Sequence, residues 1–190
     1  LDGGGSRDPD GTLTDYDWTV TTPDGTTTEP NCADCQRTRF RVMTEMLDFT
    51  GKRVLDAGCS RGDFADYLIE DQRDYARFIG VDGVCEVIEH AKQRDLPRAA
   101  FHCRDFVAEP DALAIDEPEV VAISGSLNTM DWSTALSVLE AAWHAAGESL
   151  IFNFLSDRTG PRALPQQQPA RRLPTLELMD WALARTWDVQ

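Results

Sequence analysis

From Arg53 to Asn153 the chain alternates between short apolar runs and amphipathic stretches. RVLDAG, RFIGVD, AAFHCRDF, EVVAISGS and ESLIFNFLS read as five strands, with DFADYLIED, CEVIEHAKQR and STALSVLEAAWHAA as helices among them. Strands apolar on both faces need cover on both sides, and helices between successive strands leave those strands parallel. The fold class read from this pattern is α/β: a doubly wound, mostly parallel, Rossmann-like sheet with helices on both faces. A further helix precedes the first strand, because Phe40, Met43, Met46 and Leu47 recur at three- and four-residue spacing, and Thr50-Gly51 marks its end. LPTLELMDWALAR forms another near the C-terminus.

Two segments depart from the alternation. Residues 1–30 are rich in Gly, Asp, Thr and Pro and lack periodicity, so they read as a disordered or loosely packed acidic arm, leaving 31–190 as the folded domain. Residues 156–174, SDRTGPRALPQQQPARRLP, form a Pro-rich loop carrying Arg158, Arg162, Arg171 and Arg172 against one aspartate. This loop is either a lid that meets an anionic substrate or a solvated segment balancing an acidic surface.

Charge and cysteine usage narrow the function classes. With 33 acidic and 18 basic residues the net charge is −15, which repels phosphate backbones, so no nucleic-acid partner is expected. No apolar run approaches the roughly 18 residues of a membrane helix, so no membrane partner is expected either. LDGGGSRDPDGTLTDYDW lacks the basic start and apolar centre of an export leader, and a cytoplasmic setting follows as the expectation. Five cysteines are an odd number, which in such a setting argues against a disulfide framework. Cys32 and Cys35 form one C-x-x-C, but Cys59, Cys85 and Cys103 sit in or beside core elements and the three histidines have no ligand spacing, so no metal is expected.

In an open parallel sheet, ligands bind beyond the carboxyl ends of the strands. The first strand runs into Asp56-Ala57-Gly58-Cys59-Ser60-Arg61-Gly62, where Gly58 permits a tight turn and Gly62 lets the next helix start pack close. The amide groups of that helix start suit a carboxylate or phosphate. The second strand ends in Asp82-Gly83, and an acid there accepts hydrogen bonds from ribose hydroxyls. The third ends in Asp105-Phe106, where a carboxylate accepts from an exocyclic amine and a ring packs on a base. An adenosine fits all three places. A dinucleotide fingerprint, G-x-G-x-x-G, needs a middle glycine to admit the pyrophosphate, and this chain has Ser60 there.

VLDAGCSRGDF, the GVD at 80–82, the RDF at 104–106 and VVAISGSLN in succession resemble the motifs of the class I S-adenosylmethionine-dependent methyltransferases over residues 31 to about 155. The resemblance implies S-adenosyl-L-methionine as cofactor. It places Asp56, Gly58, Cys59, Ser60 and Gly62 around the methionine portion, Asp82 with Gly83 at the ribose, and Asp105 with Phe106 at the adenine. Ser124 and Gly125 would border the sulfonium and the acceptor pocket. Arg39, on the helix before the first strand, is either a partner for the methionine carboxylate or a member of a surface ion pair. Asn128, Asn153 and Asp157 are the candidates on the acceptor side, although Asn in such loops is commonly a turn former. No residue declares itself as a general base. The NPPY-type signature of amino-group methylases of nucleic acids is absent, so a small-molecule acceptor is expected. Family members usually continue past the fifth strand with a helix and an antiparallel pair, whereas this sequence stops at TWDVQ; it reads as shortened, with those strands missing and the fifth strand as an apolar edge. Two rivals stay open at this level: an NAD-linked oxidoreductase or epimerase with a degenerate glycine loop, and a non-catalytic cofactor-binding relative.

Overall fold

The computed structural model describes residues 32–158 and 170–190, preceded by two paired strands, β1 (Val20–Thr21) and β2 (Thr27–Thr28), which run antiparallel. Of the arm expected over 1–30, only this pair falls among the described residues.

The helix α1 (Cys32–Met46) leads into β3 (Arg53–Ala57), then α2 (Asp63–Glu70), β4 (Arg77–Asp82), α3 (Cys85–Gln93), β5 (Ala99–Cys103), β6 (Val120–Ser124), α4 (Trp132–Ala145), β7 (Ser149–Asn153) and α5 (Thr175–Leu183). α1 stops before the predicted Thr50-Gly51, because Asp48 Oδ1 accepts the Thr50 amide at 2.9 Å and turns the chain first. Two single-turn 3-10 helices, Pro110–Ala114 and Ser126–Thr129, were not predicted; each is too short to show a period.

The strands β3 to β7 are the five predicted ones. They form one sheet in the order β5-β4-β3-β6-β7, and all four pairings are parallel. Alternate residues feed two cores. Val54, Phe78 and Val120 pack with Phe40, Met43, Phe64, Leu68 and Ile88 from α1, α2 and α3 on one face. Leu55, Ile79, Val121 and Ile123 pack with Leu113, Leu139 and Leu178 on the other. Burying both faces explains why these strands read as continuous apolar runs. The strand order reverses between β3 and β6, so the crevice that such sheets offer to ligands opens at the carboxyl ends of these two strands.

The cysteine expectation needs correction. Cys85 and Cys103 form a disulfide, with Cα atoms 4.9 Å apart. The parallel register of β4 and β5 sets Cys103 opposite Asp82, three residues before Cys85, and so brings the two together. Cys59 is buried and free. The side chains of Cys32 and Cys35 lie outside the described residues, as do residues 159–169 of the arginine-rich loop, including Arg162. Among the described residues no helix is long and apolar enough to cross a membrane.

Candidate functional site

β3 carries Asp56 into the centre of the sheet, with Gly80 and Ala122 as its register partners on either side. These two small residues leave a niche for the carboxyl group, which is 3% exposed. Among the described residues its Oδ1 has no hydrogen-bond partner. Burial, with the nearby charges of Asp82 and Asp63, pushes the Asp56 carboxyl up to about 8. A buried polar atom left unpaired is costly, so this oxygen points to a group that the protein alone does not supply.

The turn after β3 is built around this niche. Gly58 and Gly62 have φ of +84° and +79°, and Ser60, without glycine's freedom, is held at +47°. A Cβ on Gly58 would stand 2.7 Å from the Ser126 side chain, and one on Gly62 would stand 2.8 Å from the Phe101 ring. Gly80 is equally closed, since a Cβ there would meet Phe101 and Cys59 Sγ. The turn therefore rests on Phe101, a residue the strand-end argument does not single out. Burial and the Asp56 and Asp82 charges push the Cys59 thiol up, so it stays protonated. Arg94, also unforeseen, secures the following helix start: its guanidinium donates to the Arg61 carbonyl at 3.0 Å and to Asp63 Oδ1 at 2.5 Å, and also to Asp66.

Asp82 joins this turn to the next strand end. Its Oδ2 accepts the Ser60 amide at 3.0 Å and its Oδ1 accepts the Val84 amide at 2.9 Å. Gly83 beside it is exposed, with open space where a Cβ would be. At the end of β5, Asp105 is exposed and its Oδ1 accepts the amides of Val107 and Ala108 at 3.0 and 3.2 Å. Phe106 is buried in the core with Ile79 and Val81. Its ring thus fixes the Asp105 loop to the sheet.

Beyond the switch in strand order, Ser124, Gly125, Asn153 and Arg39 come together. Asn153 Nδ2 donates to Ser124 Oγ at 3.0 Å, while its Oδ1 accepts the Gly125 amide at 3.0 Å. The half-buried Arg39 donates from Nε to the same serine oxygen at 3.4 Å, and its guanidinium flanks Gly125. Among the described residues Arg39 makes no salt bridge. The other acceptor-side candidates lie further along and have structural bonds. Asn128 Oδ1 accepts the Leu155 amide at 2.7 Å. Asp157 Oδ1 accepts the Thr175 amide at 2.9 Å at the start of α5, and that bond holds its carboxyl below the usual range. Arg171 donates its amide to the Asn128 carbonyl, and Arg172 donates from Nη1 to the Ser156 carbonyl. Arg158 faces Asp157 at 3.9 Å.

Comparison with known proteins adds three findings. A family model described as a methyltransferase domain matches residues 48–141. Among curated proteins none matches the chain. Among solved structures the fold is shared with a DhpI-SAM-HEP complex (TM-score 0.60, 16% identity, covering 82% of this chain and 78% of that one). It is shared equally with magnesium protoporphyrin IX methyltransferase (ChlM) from Synechocystis PCC 6803 with bound SAH (TM-score 0.60, 17% identity, covering 77% and 69%). The pyocyanin biosynthetic protein PhzM also shares it (TM-score 0.58, 17% identity, covering 80% of this chain and 48% of that one).

Proposed function

We propose that this chain is a methyltransferase of the class I, S-adenosylmethionine-dependent type, in keeping with the methyltransferase-domain model that matches residues 48–141, and that it methylates a small molecule, with the cofactor held by the loops at the carboxyl ends of β3 to β6. The observation that carries the cofactor assignment is the unpartnered, buried Oδ1 of Asp56 beneath a glycine-lined turn.

The methionine portion of S-adenosyl-L-methionine bears an ammonium and a carboxylate. Asp56 complements the first and Arg39 the second, one from the sheet and one from α1. Gly58, Cys59, Ser60 and Gly62 surround this portion. Asp82 is assigned to the ribose hydroxyls, because a carboxylate has about four acceptor sites and two amides leave capacity on each oxygen. Asp105, exposed and fixed in its own turn, is assigned to the adenine amine, with Phe106 anchoring that loop.

When bound, the cofactor would supply an activated methyl group, carried on a sulfonium that is a good leaving group. The chain's share is orientation and exclusion of water. Ser124 and Gly125, fixed by Asn153, border the reacting side, and Asn128 and Asp157 brace the loops that follow β6 and β7. Asp157, held below the usual carboxylate range, is a weak base.

The net charge of −15 supports a small acceptor over a nucleic acid. The test is incubation with methyl-labelled cofactor and separate pools of small metabolites and of RNA and DNA. Label in the metabolite fraction supports the reading, and label in the nucleic-acid fraction overturns it.

A further inference from the structure

The disulfide lies at the adenosine side of this site. Cys85 is the first residue of α3 and Cys103 the last of β5. Cys103 stands opposite Asp82 in the register, its Sγ is 3.9 Å from the Gly83 carbonyl oxygen, and the next amide, of Arg104, donates to the Asp82 carbonyl at 3.0 Å. On the other flank, Asp82 Oδ1 holds the amide of Val84, the residue before Cys85. The bridge thus closes a short circuit around Asp82, Gly83 and Val84 and pins it to the strand that leads into Asp105. Among the described residues a Cβ on Gly83 would meet nothing within 4 Å, so the covalent bond joins the Val84 and Arg104 hydrogen bonds as a restraint on this turn.

We propose that the Cys85–Cys103 disulfide is a redox latch on cofactor binding: oxidised, it holds the Asp82 turn against the end of β5; reduced by a dithiol, it frees the turn and weakens the grip on the adenosine. The latch rests on the assignment of Asp82 and Asp105 to the cofactor.

The chemistry follows from exposure. Cys85 is exposed and Cys103 half-buried, so a thiolate of the dithiol attacks Cys85 Sγ. The bond between the two protein sulfurs breaks, and Cys103 leaves as a thiolate that takes a proton from solvent. The second thiol of the reductant, deprotonated, attacks the reductant's sulfur in the mixed disulfide, and Cys85 departs as a thiolate. Two electrons reach the protein sulfurs, and the reductant becomes a cyclic disulfide. The departing Cys85 thiolate sits at the N-terminus of α3, whose free amides favour negative charge. In reducing compartments disulfides are usually transient and redox-sensing, and an exposed bridge beside a ligand site suits that use.

The test is calorimetric titration of S-adenosylhomocysteine into oxidised protein, into protein held in dithiothreitol, and into the Cys85→Ser/Cys103→Ser variant. Alkylation and peptide mass analysis verify the state of each cysteine. The oxidised form is expected to bind about fivefold more tightly than the reduced form, the scale of ordering one loop on binding, and reoxidation restores the affinity. The double variant is expected to match the reduced protein with or without dithiothreitol, which excludes Cys32, Cys35 and Cys59 as the source. Equal affinity in oxidised and reduced protein overturns the latch and leaves the cofactor assignment standing. Absence of binding in every form overturns both. Free Cys85 and Cys103 after treatment with oxidant also overturns the latch.

Discussion

The amide of Ser60 donates to Asp82 Oδ2 at 3.0 Å, so a single carboxylate ties the turn after β3 to the end of β4. Ser60 is held at φ +47°, a conformation that costs an ordinary residue about 1–2 kcal/mol, and this bond helps to keep it there. Replacing Asp82 with Ala removes that anchor, the Val84 anchor and the acceptors assigned to the ribose. Affinity for S-adenosylhomocysteine is expected to fall at least about tenfold, given about 1.5–3 kcal/mol for hydrogen bonds to a charged group. Asp82→Asn retains one acceptor oxygen and is expected to fall between the two. Unchanged affinity in Asp82→Ala removes this residue from the ribose.

Asp56 gives a pH dependence of definite sign. Its ordinary value is 3.8 and its value in the fold about 8. Between these limits the folded chain keeps a proton that the unfolded chain has lost, so stability from this group is complete in acid and declines until pH reaches about 8. Asp56→Asn mimics the neutral form and is expected to flatten the fall of Tm with pH across that window. An ammonium seated beside Asp56 favours the ionised form, so cofactor binding at neutral pH is expected to release a proton. Titration in buffers of different ionisation heat reads that release directly, and a binding heat independent of buffer contradicts it.

Gly62 is expected to be intolerant for two separable reasons. Gly62→Ala costs about 1–2 kcal/mol for its positive φ, and its new methyl collides with the Phe101 ring. Phe101→Leu shortens that ring, so in a double-mutant cycle the second change is expected to recover part of the loss caused by the first. Strict additivity in denaturant unfolding shows that the ring does not support the turn.

Fold and site were legible in the sequence to different depths. RFIGVD reads as a strand and is β4 to the residue, because burial on both faces writes itself into consecutive apolar positions. The strand-end rule puts Asp56 and Asp82 at the carboxyl ends of β3 and β4, where they lie, because it needs only strand boundaries, whereas Ser124, the last residue of β6, follows from the family resemblance. Phe101 and Arg94 escaped it: each acts across elements distant in the chain, one under Gly62 and the other onto Asp63. The disulfide was missed for the same reason. Counting cysteines weighs compartments, whereas pairing depends on the register of β4 with β5, which no local pattern records.

The bridge also contributes to stability. It joins residues 18 apart in sequence, and closing a loop of that size in the unfolded chain is worth about 3 kcal/mol. Dithiothreitol is expected to lower Tm in the wild type and to leave the Cys85→Ser/Cys103→Ser variant unchanged. Cys59, buried with its thiol pushed up, is expected to resist alkylation until the chain unfolds.

The crevice at the carboxyl ends of β3 and β6 is assigned to a sulfonium cofactor and not to a dinucleotide. Parallel calorimetric titrations with S-adenosylhomocysteine and with NAD test this assignment most directly. S-adenosylhomocysteine is expected to bind at one site per chain and NAD to give no binding heat. Binding of NAD without binding of S-adenosylhomocysteine contradicts the account.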